Sequence, residues 1–242
     1  MDRIEEIYER VQIQHELDDV NIEMAAFTSF IAALEKKDTA HNFCKNPMSF
    51  MHFSNISSDI EDPNTFIEEI SKELDKIKTI WQPPEKSTRK GFQSLPYINI
   101  FENSSTNIDK LKSIILDELD KYYLKYYKKE CLYIQEWPTE KNIWGWHVIL
   151  KRYGHQNLHI HPEGWLSGVV YLKVSQSKEK NEGAIEFSLN GINYSNAKSP
   201  KLVYQPKIGD IVFFPSSLHH RTIPFTSDTD RIIISFDLLP EK

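Results

Sequence analysis

The histidines of this chain are concentrated in its second half. Nine are present, and six of them lie between residues 147 and 220, namely His147, His155, His159, His161, His219 and His220. Only Ile160 separates His159 from His161. In a β-strand, residues two apart project from the same face, so both imidazoles would point the same way. Such a pair can chelate a metal ion with little ordering, but HxH pairs also occur without metal, so a third ligand is required.

A third histidine follows a pattern that would bring it to the same place. Gly209-Asp210 predicts a turn and residues 211–214 a buried strand. Pro215 ends the strand pairing because it has no backbone donor. In a double-stranded β-helix, two ligands early in the sheet and one histidine on a late strand converge at the barrel mouth. We therefore predict that His159, His161 and His220 bind one metal ion, and that His219 faces away or lies at the rim.

Arg231 opens the apolar segment 231–237. A charged side chain in the interior is unfavourable unless it is paired. One interpretation is that its planar guanidinium binds a carboxylate through two hydrogen bonds. The alternative is that Arg231 lies at a strand end in water, paired with Asp228 or Asp230. Together with the histidines, the pattern favours the carboxylate-binding role.

The elements that must position these residues change in character along the chain. After about residue 130, short β-rich runs alternate with Gly, Pro, Asn and Ser, which is typical of antiparallel sandwiches and jelly rolls. The predicted strands are 144–152, 158–161, 166–174, 184–189, 211–215 and 231–238. An earlier run, 91–101, predicts a strand entering this part of the fold.

The first half is predicted to be mainly helical. Apolar residues at spacings of three and four indicate helices over 3–18, 22–36 and 107–127, and a further helix capped by Asn64 and ended before Pro83-Pro84. Helices followed by many strands predict an α+β protein with a mainly β core and flanking N-terminal helices. We divide the chain into a helical extension, 1–40, and a double-stranded β-helix domain with supporting helices, 41–242.

Composition excludes several classes of protein. The net charge of −6 gives no basic excess for nucleic acid. No apolar run approaches the roughly 18 residues of a spanning helix, and the N-terminus has no apolar core of a secretory signal. Cys44 and Cys131 form no CxxC motif; one disulfide is arithmetically possible, but reduced thiols in a cytoplasmic protein are the prediction.

Three segments together resemble a known family. They are His159-Ile-His-Pro-Glu-Gly-Trp-Leu-Ser-Gly-Val-Val-Tyr-Leu172, Phe214-Pro-Ser-Ser-Leu-His-His-Arg-Thr-Ile-Pro224 and Asp230-Arg-Ile-Ile-Ile-Ser-Phe-Asp237, with weaker similarity at 88–94 and 43–47. The sequence resembles the 2-oxoglutarate- and Fe(II)-dependent oxygenases often appended to tetratricopeptide-repeat proteins, over about residues 40–240. The resemblance implies a double-stranded β-helix, Fe(II), and 2-oxoglutarate held by Arg231. It also suggests that residues 1–40 are a shortened helical remnant.

One position departs from the wider superfamily, whose ligands are usually two histidines and one carboxylate. His161 stands where the carboxylate is expected, which gives three neutral imidazoles. An alternative register makes His161 and Glu163 the first pair, with His220 as third ligand and His159 behind them. We favour His159, His161 and His220.

The predicted function is that of a 2-oxoglutarate-dependent dioxygenase, with Tyr171 and Ser167 joining Arg231 at the cosubstrate. His147, His155, Trp165 and Tyr171 are candidates for lining the substrate pocket. The predicted partners are 2-oxoglutarate, O2 and a substrate that resembles a peptide, protein or amino acid, with no nucleic acid and no membrane. Two alternatives remain: a cupin-like metalloenzyme that does not use 2-oxoglutarate, and a non-catalytic ligand-binding sandwich.

Overall fold

The fold is that of a computed structural model, and the structure describes residues 3–102, 105–175 and 179–241. Its α-helices in these ranges are α1 (Arg3–Leu17), α2 (Ile22–Glu35), α3 (Pro63–Leu74), α4 (Thr106–Tyr126) and the short α5 (Leu132–Gln135). Asp62, not the predicted Asn64, caps α3 by accepting from the Thr65 amide, and Pro63 takes the first helical position. The other predicted helices agree with α1, α2 and α4 to within a residue at each end.

The strands form two antiparallel sheets. They are β1 (His52–Asn55), β2 (Thr79–Trp81), β3 (Thr88–Ser94), β4 (Ile143–Gln156), β5 (Leu166–Lys173), β6 (Ile185–Ser188), β7 (Lys201–Tyr204), β8 (Asp210–Pro215), β9 (His219–Thr222) and β10 (Arg231–Leu238). Within the described residues, the large sheet has the order β1-β8-β5-β10-β4-β3-β2 and the small sheet β7-β6-β9. The predicted mainly β core, a double-stranded β-helix with flanking helices, is confirmed.

The segment 158–161 is not the regular strand that the sequence predicted. It contains one isolated bridge, in which His159 and His220 exchange backbone hydrogen bonds of 3.1 and 3.0 Å. The His161 amide donates instead to the Ser216 carbonyl oxygen at 3.1 Å. The residues that follow form a turn at Gly164 and lead into β5. The segment therefore runs across the open end between the two sheets.

Two apolar layers hold these sheets. α3 and α4 cover one face of the large sheet, where Phe213 and Phe236 are buried. The other face packs on the small sheet through side chains such as Val169 and Phe187. Each large apolar side chain buried in this way contributes about 1.5–3 kcal/mol relative to exposure.

α2 contributes to both layers, with Ile22 and Ala25 in the first and Phe30 and Ile31 in the second. The division at residue 40 stays a prediction. Cys44 and Cys131 are free, buried thiols, as predicted. Among the described residues, no helix is both long enough and apolar enough to cross a membrane.

Candidate metal centre

The backbone brings the three predicted histidines together. His159 and His161 lie on the segment that follows β4, and His220 lies on β9, joined to His159 by the bridge described above. One ring nitrogen from each of the three lies within 4.8 Å of the others. The ring centroids are 4.3 to 5.1 Å apart. This is the spacing that a single metal ion could bridge.

Hydrogen bonds fix the same tautomer on all three rings. Nδ1 lies 2.7 Å from the Asn157 carbonyl oxygen in His159, 2.6 Å from Asp237 Oδ1 in His161 and 3.0 Å from the Leu218 carbonyl oxygen in His220. Carbonyl and carboxylate oxygens only accept, so each Nδ1 carries the proton and donates. Each Nε2 therefore presents a lone pair, which is the state that binds a metal.

The surroundings favour the neutral forms of His159 and His220. Burial, with the neighbouring His161 ring, lowers the pKa of His159 to about 3. Burial also holds the pKa of His220 well below its usual value, with His159 and His161 adding to the effect. Deprotonated nitrogens are what metal binding requires, because a protonated imidazole has no lone pair to give.

Glu163 does not join the cluster. Its side chain is exposed at the mouth of the cavity, and the described groups whose ligand atoms converge are His159, His161 and His220 alone. The geometry therefore favours the three-histidine register over the pair His161 and Glu163.

Ser87 adds one contact to the cluster. Its hydroxyl lies 3.2 Å from Nε2 of His159 and can donate a hydrogen bond to the lone pair of that nitrogen.

Arg231 is buried between the sheets and lacks a carboxylate. It is 1% exposed, and its Nε and Nη1 have no hydrogen-bond partner among the described residues. Asp228 and Asp230 pair with Arg152 and Lys151 instead, so the alternative in which either neutralises Arg231 is wrong.

The guanidinium lies over the Tyr171 ring, 5.0 Å from its centroid. The Tyr171 hydroxyl also has no described partner, and burial raises its pKa to about 12, so it remains a donor. A buried cation beside an unused hydroxyl fits one end of a dicarboxylate such as 2-oxoglutarate.

Ser167 has other partners. Its hydroxyl lies 2.7 Å from Asp237 Oδ1, 2.8 Å from Ser216 Oγ and 3.0 Å from Nδ1 of His161. These contacts support a role in holding His161, while the predicted contact with the cosubstrate stays a prediction.

Comparison with known proteins agrees with this geometry. Residues 145–237 match the model of the family described as "Putative 2OG-Fe(II) oxygenase", and that range contains the three histidines and Arg231. Residues 145–237 are therefore similar to a 2OG-Fe(II) oxygenase domain. No curated protein matches the sequence. The match starts in β4, so the relation of residues 1–40 to helical repeats stays a prediction.

Solved structures share the fold of this chain. A non-haem alpha-ketoglutarate-dependent carbocyclase from nogalamycin biosynthesis has a TM-score of 0.54 at 11% identity, with 82% of this chain and 85% of that chain covered. A prolyl hydroxylase from Trichoplax adhaerens, in complex with a peptide fragment, has a TM-score of 0.52 at 12% identity, with 95% and 92% covered. A Pseudomonas putida prolyl-4-hydroxylase has a TM-score of 0.51 at 11% identity, with 79% and 93% covered.

A cavity of about 520 Å³ opens beside the candidate metal-binding histidines. Its walls include Trp144 and Trp146, which project from one face of β4, and the Trp146 ring lies 5.4 Å from that of His161. Gln93 and Gln156 also line it. These four residues were not predicted; the alternation of Trp144 and Trp146 was the one sequence pattern that could have indicated them.

Three predicted pocket residues lie elsewhere. His147 pairs with Ile234, so it faces the helical layer and not the cavity. Trp165 is buried in that layer and donates from Nε1 to the Tyr133 carbonyl oxygen. His155 bonds to the Tyr153 carbonyl oxygen and does not line the cavity. Strand direction and side-chain face decide these positions, and the sequence pattern did not specify them.

Proposed function

We propose that this protein is a dioxygenase that uses Fe(II), 2-oxoglutarate and O2 to hydroxylate a peptide, protein or amino-acid-like substrate, with release of succinate and CO2. The observation that carries the proposal is the convergence of three Nε2 lone pairs beside a cavity. Arg231 is buried over the Tyr171 ring and has no carboxylate partner among the described residues, which argues against a metalloenzyme without an oxoacid. Convergent neutral imidazoles would be surplus in a purely ligand-binding sandwich.

Each group has a defined task in this proposal. His159, His161 and His220 would hold Fe(II), and Arg231 with Tyr171 would bind the distal carboxylate of 2-oxoglutarate. Bound iron would supply O2 activation coupled to oxidative decarboxylation of the oxoacid. Trp144 and Trp146 reduce the access of water and provide flat apolar walls for a substrate side chain.

The mouth of the cavity suggests the charge of the substrate. Glu85, Lys86 and Glu163 are exposed there, and none of them forms an ion pair among the described residues. Two carboxylates against one ammonium favour a substrate that carries positive charge near the reacting group. The peptide fragment bound to the Trichoplax adhaerens prolyl hydroxylase supports a peptide or protein substrate. A cytoplasmic location remains our prediction.

The test is succinate release from 2-oxoglutarate with Fe(II), measured over a panel of basic, neutral and acidic peptides. His220→Ala should abolish release because it removes a ligand. Glu163→Gln should retain iron affinity and raise KM for basic peptides only. Failure of the wild type to bind 2-oxoglutarate anaerobically would reject the proposal, and collapse of iron affinity in Glu163→Gln would restore the alternative register.

A further inference from the structure

The three-histidine cluster has no negative charge among its candidate ligands. Imidazoles bind as neutral groups, so the full charge of a divalent cation would remain uncompensated in a partly buried site. We propose that Asp237 is a positioning residue that supplies the missing negative charge through His161. This inference rests on the proposed function.

Asp237 is placed where it can act on one ligand. Its Oδ1 accepts from Nδ1–H of His161 at 2.6 Å, and its side chain is 12% exposed. A carboxylate in this position orients the imidazole, fixes Nε2 as the metal-facing nitrogen and makes that nitrogen a stronger donor. Glu85 and Glu163, the other carboxylates that line the cavity, are exposed and make no such contact with a histidine in the described structure.

The surrounding structure holds the carboxylate in place. Asp237 pairs with Ser167 across β10 and β5, and the Ser167 hydroxyl donates to the same Oδ1 at 2.7 Å. The turn before β5 passes close over the carboxylate: a Cβ on Gly164 would lie 2.9 Å from Asp237 Cγ and 2.6 Å from Ser216 Oγ. The absence of a side chain at Gly164 therefore leaves room for the carboxylate.

A matched pair elsewhere in the chain provides a control. Glu118 is 4% exposed and accepts from Nε2 of His52 at 2.6 Å, the same length as the contact between His161 and Asp237. This pair joins α4 to β1, away from the cavity. Glu118→Gln and Asp237→Asn therefore make the same chemical change, loss of a buried carboxylate bonded to histidine, at a remote site and at the metal site.

The experiment titrates the metal-free full-length protein with Co(II) anaerobically and measures the Fe(III)/Fe(II) potential of the iron-loaded protein. Asp237→Asn should weaken the Co(II) Kd by roughly 10–100-fold, the usual loss for an outer partner of a ligand. It should also raise the potential, because the ferric state loses more electrostatic stabilisation. Glu118→Gln should leave both values as in the wild type. In a His161→Ala background, Asp237→Asn should weaken Co(II) binding no further.

A folded Asp237→Asn protein with wild-type affinity and potential overturns the inference, as does an equal loss in Glu118→Gln. Should Asp237→Asn not fold, NMR of the Zn(II)-loaded wild type decides. A protected Nδ1–H proton on His161 supports the inference, and its absence overturns it. If the wild type bound no metal ion at all, the proposed function itself would be rejected. Failure of the proposed function can therefore be distinguished from failure of the inference about Asp237.

Discussion

At the scale of single residues, Arg231 shows how a candidate binding group can weaken the fold that carries it. Burial lowers the pKa of its guanidinium, which means that the charged form is poorly stabilised where it lies. Replacing a buried charge that has no carboxylate partner by an apolar side chain of similar length removes that penalty. Arg231→Met should therefore leave the ligand-free protein at least as stable as the wild type while it loses 2-oxoglutarate binding.

Thermal unfolding with and without 2-oxoglutarate checks this prediction. A ligand at 100 times its Kd stabilises the folded state by about 2.7 kcal/mol, so the wild type should show a clear rise in Tm and Arg231→Met none. Arg221→Met is the control, because Arg221 is an exposed residue paired with Glu186 at 2.9 Å. A ligand-induced rise in Tm that survives in Arg231→Met would contradict the assignment.

His147 makes a second prediction at this scale. Burial lowers its pKa from 6.5 to about 4, although Asp75 acts in the opposite direction. Between these values the unfolded chain takes up a proton that folded His147 does not, so stability is complete above pH 6.5 and falls as pH falls towards 4. At pH values below about 4, the protonation of this residue lowers the free energy of unfolding by roughly 3 kcal/mol.

His147→Leu should flatten this part of the pH dependence, because leucine fills the apolar site without a titrating group. Urea unfolding above and inside the pH window measures the difference, with His155→Leu as the control on a half-exposed residue of the same strand. An unchanged pH dependence in His147→Leu would show that His147 is not protonated during acid destabilisation.

At the scale of elements, the sequence predicted most helices and strands but not the segment of the metal ligands. Period-two alternation over 158–161 predicted that His159 and His161 share a strand face. The structure brings the rings together through a bridge to β9 and a bond to Ser216. The partner of His161 was not predictable, because Asp237 lies 76 residues away and only the register of β10 against β5 brings it there.

The pairing of β5 with β10 sets limits on substitution. At Gly168 in β5, an added Cβ would contact the ring of Phe236, which already packs edge-on against Phe101 and Phe213. Gly168→Ala should destabilise the protein by about 1–3 kcal/mol, the usual range for overpacking. Urea unfolding measures it against Lys201→Ala on an exposed edge-strand residue; equal stabilities would mean that the ring moves freely.

At the scale of the whole molecule, the layered α+β plan was predictable because helical and alternating patterns occupy different halves of the chain. The boundary at residue 40 follows the extent of the family resemblance, about residues 40–240, and that resemblance does not specify which helix enters the core. α1 buries Val11, whereas the buried residues of α2 include Ile22, Phe30 and Ile31. The two helices therefore differ in their contribution to stability, in agreement with the larger share of apolar residues in α2.

Truncation separates these contributions. Deletion of residues up to 19 removes α1 and should lower stability by about 1.5–3 kcal/mol, the burial of one large apolar side chain, with metal binding kept. Deletion up to residue 40 also removes Phe27 and Phe30, whose rings lie 5.3 and 4.8 Å from the Tyr194 ring. Tyr194 in turn contacts His219, which is next to the candidate ligand His220. The second deletion should lose both cooperative unfolding and Co(II) binding, measured by circular dichroism and titration. If the chain without residues 1–40 folded and bound Co(II) like the wild type, α2 would be an appendage, and the predicted division into extension and domain would stand.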